Sequence, residues 1–228
     1  MRRVTIFDYG AGNLHSLAKA LAEPGIEVLV EADPARATET DVLVLPGVGS
    51  FAQAASRLAS GREVMRDAIV HGELPTLGVC LGMQLFLDES DEGPGRGLGI
   101  IPGRVTRLAA RRVPQIGWNA LEDARDSIFD IAPMSVAYYA NSFACRPNDD
   151  ATVIAWSQHE EDRFAAAVRT GRAGNVVGVQ FHPEKSSGAG VRLIKAFLDE
   201  AGQRVEGGGW RKPGSLYPPP STLHPRGS

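Results

Sequence analysis

Cysteine is scarce in this chain, with two among 228 residues. That excludes a disulfide-stapled fold. No cysteines and histidines cluster at ligand spacing, so neither a metal nor another cofactor is expected. A strong charge of one sign is also missing. The net charge is −3, which argues against a broad nucleic-acid footprint. No apolar run approaches the length of a membrane span. Arg2-Arg3 leads into a strand and a polar turn rather than an apolar h-region, so no signal peptide is expected. Together these absences point to a reducing cytoplasm and exclude membrane and nucleic-acid partners. The remaining composition, 43% apolar and 22% charged, is ordinary for a globular domain able to bury a sizeable core.

The first part of the chain alternates strand and helix patterns. Residues 4–8, 27–30 and 42–46 read as strands. Residues 13–22, 51–59, 62–71 and 81–89 read as helices. Such alternation predicts parallel strands joined by helical crossovers. From about 98 to 180 the runs become short and alternating, as in 103–108, 151–156 and 164–168, which predicts added antiparallel strands. A final helix is expected over 189–201. The expected fold class is therefore α/β: an open, mostly parallel sheet flanked by helices. One domain is expected over 1–202. A disordered tail is expected over 203–228, where Gly207-Gly208-Gly209 and Pro218-Pro219-Pro220 break any packing pattern. Trp210 and Tyr217 in that tail have no assigned role.

Chemistry concentrates at Cys80. The run Pro75-Thr76-Leu77-Gly78-Val79 reads as a buried strand. It ends in Gly78-x-Cys80-x-Gly82 and passes into the apolar segment 83–87. A nucleophile at a sharp strand-to-helix turn is an elbow arrangement. Gly78 and Gly82 remove side chains that would collide where strand and helix meet. The helix N-terminus favours a thiolate. By itself the cysteine also fits a core thiol, as Cys145 does, so the reading depends on a base.

His182 and Glu184 supply it. Val177-Gly178-Val179-Gln180-Phe181 reads as another strand, followed by His182-Pro183-Glu184-Lys185. Proline biases His182 to extended backbone, and in extended chain residues two apart share a side. Glu184 is thus expected to orient the His182 ring, completing a nucleophile, base and orienter set. Both Cys80 and His182 fall at carboxyl ends of strands, where open parallel sheets carry their sites. The other histidines, His15, His71, His159 and His224, read as solvated or structural. The third strand, 42–46, breaks into the glycine-rich turn Gly47-Val48-Gly49-Ser50. Backbone N–H groups near Val48 and at Leu81 are the expected oxyanion donors, with Ser50 as a helix N-cap.

These three motifs, in this order, resemble the class I (triad-type) glutamine amidotransferases, whose fold is flavodoxin-like. The resemblance spans roughly residues 3–200. Within that family, Asp8-Tyr9-Gly10-Ala11-Gly12-Asn13-Leu14, Pro46-Gly47-Val48-Gly49, Gln115-Ile116-Gly117-Trp118-Asn119 and 181–186 look like the glutaminase subunits of imidazole glycerol phosphate synthase. The resemblance implies hydrolysis of glutamine by Cys80, His182 and Glu184, without a cofactor. It implies that Gln84 and Glu92 hold the ends of glutamine, with Asn141 and Ser142 nearby. It implies a heterodimer with a cyclase subunit, contacted by Asn13, Trp118 and Lys185, that takes up the ammonia during histidine synthesis. Asn141 and Phe143 depart from a Val-His-Ser-Tyr-like run in the family.

Three other readings compete. Gly10-Ala11-Gly12 after a strand suggests a dinucleotide site, but His15 stands at the third glycine. A cysteine peptidase or related stress protein would share the elbow, but not the His-Pro-Glu order with Gln84 and Glu92. A binding module without chemistry would leave Cys80, His182 and Glu184 unexplained.

Overall fold

A computed structural model describes residues 1–10, 12 and 14–206, without the side chains of 205 and 206. Asn13 lies outside the described residues, as do residues 207–228 of the tail expected over 203–228, with Trp210 and Tyr217.

In chain order the elements are β1 (Arg2–Phe7), α1 (His15–Leu21), β2 (Ile26–Glu31), β3 (Val42–Leu45), α2 (Phe51–Leu58), α3 (Arg62–Val70), β4 (Thr76–Val79) and α4 (Leu81–Gln84). There follow β5 (Glu89–Ser90), β6 (Gly103–Arg107), β7 (Gln115–Ala120), α5 (Ser127–Ile131), β8 (Val136–Asn141), β9 (Phe143–Pro147), β10 (Val153–His159), β11 (Asp162–Thr170), β12 (Val176–Val179) and α6 (Ser187–Glu206). The main sheet has seven strands in the order β10-β11-β12-β4-β3-β1-β2. From β2 through β12 the neighbours are parallel, and β11 and β10 extend that edge antiparallel. The expected α/β class, with its mostly parallel sheet and antiparallel additions, is what forms. The order β2-β1-β3-β4-β12 is the flavodoxin-like arrangement.

β3, β4 and β12 are buried along their whole length. They read as continuous apolar runs because helices cover both faces of the sheet. Val42, Val44, Leu77, Val79 and Val177 pack on one face toward α6 residues such as Leu193 and Phe197. Leu43, Leu45 and Met83 pack on the other with Phe51, Leu58 and Ile69. Ser50 caps α2 as expected, its hydroxyl accepting from the Gln53 N–H at 3.4 Å.

Two helices depart from expectation. The helix expected over 81–89 stops at Gln84. Residues 85–87 are fully buried, so their apolar run marks enclosure on every side rather than one helical face. Their carbonyls are taken by a later segment: Leu85 C=O accepts from Leu98 N–H, and Phe86 C=O from Ile100 N–H, both at 2.7 Å. The last helix runs beyond 189–201, over Ser187–Glu206, so residues 203–206, expected in a disordered tail, are helical.

β7 and β8 form a separate two-stranded antiparallel ribbon, and β5, β6 and β9 a small third sheet. β7 carries exposed Ile116 and Trp118 on its outer face, opposite buried Gln115. Apolar side chains outside and a polar one inside reverse the usual alternation, which hid this strand in the sequence.

Candidate active site

Three adjacent strands, β3, β4 and β12, end side by side, and the sequence motifs follow each of them. Cys80 immediately precedes α4 with φ +46° and ψ −103°, a conformation unfavourable for a non-glycine residue. The strain presents the side chain at the apex of the turn. Gly82 is required there, because a Cβ on it would come 2.0 Å from the Leu45 carbonyl oxygen. Gly78 is required beneath it, where a Cβ would meet the Phe86 ring at 2.7 Å.

His182 and Glu184 meet as expected, with Nδ1 and Oε1 2.8 Å apart. The means differ from the expected extended pair. His182 itself is extended, but Pro183–Lys185 form one turn of 3₁₀ helix. Pro183 starts that turn, and the turn brings the Glu184 carboxylate back to the ring. His182 is 2% exposed and Cys80 6%. Burial disfavours the imidazolium, but hydrogen bonds to Cys80 and Glu184 outweigh it and push His182 up to about 10. The remaining ring nitrogen is thus directed to the sulfur.

Gly47 closes the gap between base and nucleophile. A Cβ there would lie 2.9 Å from His182 Cε1 and 3.1 Å from Cys80 Cβ. Gly49 follows at φ +108°, so the turn around Val48 has the backbone freedom expected of it. Leu81 is the first residue of α4, where an N–H has no partner within the helix.

Gln84 and Asn141 meet at one carbonyl, that of Phe143, with Ser142 between Asn141 and Phe143 in the chain. Gln84 Nε2 donates to Phe143 C=O at 3.1 Å and to Gln180 Oε1 at 3.3 Å. Asn141 Nδ2 donates to the same Phe143 C=O at 3.0 Å. Ser142 C=O accepts from Leu108 N–H at 2.9 Å. Glu92 Oε2 accepts from Phe51 N–H at 2.8 Å, which ties Glu92 to the chain just beyond the Gly47–Ser50 turn.

Trp118 and Lys185 flank one ring. Trp118, 54% exposed, meets Tyr138 edge-on at 6.2 Å, and Lys185 Nζ lies 6.0 Å from the centre of the same ring. Tyr138 belongs to the site through its backbone, since its C=O accepts from the His182 N–H at 2.8 Å.

Two site residues escaped the sequence reading. Gln180 Nε2 donates to Cys80 Sγ at 3.4 Å; a glutamine ending an apolar strand just before His182 was the available signal. Tyr9 is buried, and its hydroxyl donates to Pro46 C=O, bracing the turn that holds Gly47. Burial first, then the nearby Cys80 and Asp8 charges, hold its phenol well above the usual range. No pattern in the sequence marks this contact. Cys145 is buried and free, as expected. His159 is structural, one ring nitrogen lying 2.7 Å from Arg112 C=O.

Comparison with known proteins agrees with this geometry. The family described as glutamine amidotransferase class-I matches residues 5–201. Imidazole glycerol phosphate synthase subunit HisH of Natronomonas pharaonis is 40% identical over 204 residues, covering 86% of this chain and 94% of that one. The HisH subunit of Symbiobacterium thermophilum is 43% identical, covering 85% and 92%. Among solved structures, PurLQS from Thermotoga maritima matches with a TM-score of 0.66 at 19% identity, covering 88% of this chain and 99% of that one. A glutamine amidotransferase from the same organism has a TM-score of 0.59 at 19% identity, covering 90% and 85%. At that identity the two structures speak for the fold alone.

Proposed function

This chain belongs to the class I glutamine amidotransferases and, within them, to the HisH subunits of imidazole glycerol phosphate synthase, and from that premise we propose that Cys80, His182 and Glu184 hydrolyse glutamine for a cyclase subunit. One observation carries the catalytic assignment. Cys80 occupies a strained elbow against a histidine whose other nitrogen is held at 2.8 Å by a buried carboxylate.

The sulfur attacks the carboxamide carbon of glutamine, and the oxygen of the tetrahedral intermediate takes its negative charge. The N–H groups of Leu81 and Val48 stabilise that oxygen. His182 gives its proton to the departing nitrogen, which leaves as ammonia, and a γ-glutamyl thioester remains on Cys80. His182 then takes a proton from water. The resulting hydroxide attacks the thioester, glutamate departs, and the thiolate–imidazolium pair is restored. Glu184 keeps the ring oriented and stabilises the imidazolium. Gln84, Glu92, Asn141 and Ser142 hold the amino-acid end of glutamine. Asn141 does so through its backbone, its Nδ2 being anchored on Phe143 C=O. The exposed face with Trp118 and Lys185 receives the cyclase subunit. The pair works in the cytoplasm.

Cys80 and His182 are nearly closed off, which supports low turnover until a partner opens the site. The test is glutamate release by the purified chain, alone and with the cyclase subunit and its nucleotide substrate. Release that rises with the liganded partner and vanishes in Cys80→Ala supports the reading. A folded chain that releases no glutamate in any mixture sinks it.

A further inference from the structure

Gln115 is a buried amide with nothing to bond. It is 4% exposed, yet neither its Nε2 nor its Oε1 has a hydrogen-bond partner. Leaving such a group unpaired is costly, of order 1–3 kcal/mol, so a ligand that pairs it is the natural counterpart. Its cross-strand neighbour is Asn141, whose Oδ1 is likewise buried without a partner.

The two amides stand between the nucleophile and the surface. On one side an unbroken chain of polar contacts leads back to the sulfur: Asn141 and Gln84 share Phe143 C=O, Gln84 reaches Gln180, and Gln180 reaches Cys80 Sγ. On the other side Gln115 lines an open cleft of about 360 Å³ that also includes Arg112, Trp118, Asn119, His159 and Glu160. Two titratable groups of that cleft, Glu160 and His159, are already engaged. Glu160 accepts from the Arg111 and Arg112 N–H groups, and His159 is bonded to Arg112 C=O. Buried and without a partner in this strand pair are the Nε2 and Oε1 of Gln115 and the Oδ1 of Asn141.

A small neutral molecule that both donates and accepts fits this arrangement. Ammonia can take the Nε2 hydrogen on its lone pair and give its own hydrogens to Gln115 Oε1 and Asn141 Oδ1. A primary amide does not titrate near neutrality. It therefore neither protonates the passenger nor traps it as ammonium, as a carboxylate would. We propose that Gln115 is a relay for the ammonia released at Cys80, passing it from the active-site amides to the cleft beside Trp118. The relay rests on the amidotransferase reading above. No bond is made or broken in it.

The test uses the complex of this chain with the cyclase subunit and its nucleotide substrate. Glutamate formed and cyclase product formed are measured together, in wild type, Gln115→Leu and the near-isosteric Gln115→Met. Expected is glutamate release within about twofold of wild type. Product per glutamate should fall about 3-fold, the scale of one lost neutral hydrogen bond. The missing nitrogen should appear as free ammonia, with synthesis from added ammonium chloride unchanged. Melting temperatures should hold or rise, because an apolar group replaces an unsatisfied amide. An unchanged product-to-glutamate ratio in both variants would mean that Gln115 holds only a structural water, and the relay falls. Glutamate release that drops in step with product would make Gln115 part of the catalytic framework, which also overturns the relay. Wild type that releases no glutamate overturns the amidotransferase reading and the relay with it.

Discussion

The two cysteines of this protein are the same side chain in two neighbourhoods. Cys80 stands at the end of β4, in a backbone conformation that only a surrounding fold can enforce, next to His182 and Gln180. Cys145 lies in regular β9, paired across to Val105. Burial, with a smaller contribution from Cys80, pushes its thiol far up. Both are buried, so burial alone does not distinguish a nucleophile from a core thiol. The difference is the hydrogen-bonding neighbour and the exit from the strand: a positive-φ apex with a base beside one sulfur, a ladder with apolar neighbours around the other.

The largest effect that sharpens this contrast is Cys80→Ala. Glutamate release should drop by about 10⁴-fold or more, whereas Cys145→Ala should leave it within about threefold. Equal losses in the two variants would erase the distinction. Next comes Gly47→Ala, whose Cβ would press on His182 Cε1 at 2.9 Å. Small displacements of reacting groups cost about 100-fold, so kcat should fall on that scale while circular dichroism stays native. A fully active variant would show that Gly47 does not set the gap between sulfur and base.

A pH series probes the same pair through stability. His182 has its pKa raised to about 10 from 6.5, so between those values the folded chain binds more protons than the unfolded one. Its contribution is therefore whole below about 6.5 and is lost as pH rises toward about 10. Urea midpoints should decline across that window, and Glu184→Gln should flatten the decline. A wild-type profile as flat as the variant's would contradict the hydrogen-bonded imidazolium. Tyr9→Phe should reduce stability by about 1–3 kcal/mol, because it strands the Pro46 carbonyl. It should also lower kcat more than it changes KM, through the loosened Gly47 turn. The smallest effect is Cys145→Ala on stability, a loss of about 1 kcal/mol by denaturant titration.

The elbow, the His-Pro-Glu segment and the glycine turn were legible because each couples a residue type to a strand end, and such couplings survive in a linear pattern. Apolar runs at β3, β4 and β12 marked the central strands for the same reason. What was illegible depended on competition between distant segments. Residues 85–87 have an apolar pattern compatible with helix, yet the N–H groups of Leu98 and Ile100 take the carbonyls that a longer helix would use. Tyr9 gave no signal, and that of Gln180 was weak, since a glutamine at a strand end serves many purposes.

The sequence by itself determined which side chains could do chemistry and at which strand ends they would stand, because strand periodicity, glycine and proline act locally. Only the tertiary structure decided that β4 and β12 are neighbours, and so brought Cys80 to His182. It also turned Glu184 back through a 3₁₀ turn, and left the Gln115 amide buried and unpaired. Those outcomes depend on register and packing between segments far apart in the chain, and no local pattern encodes which distant group will arrive.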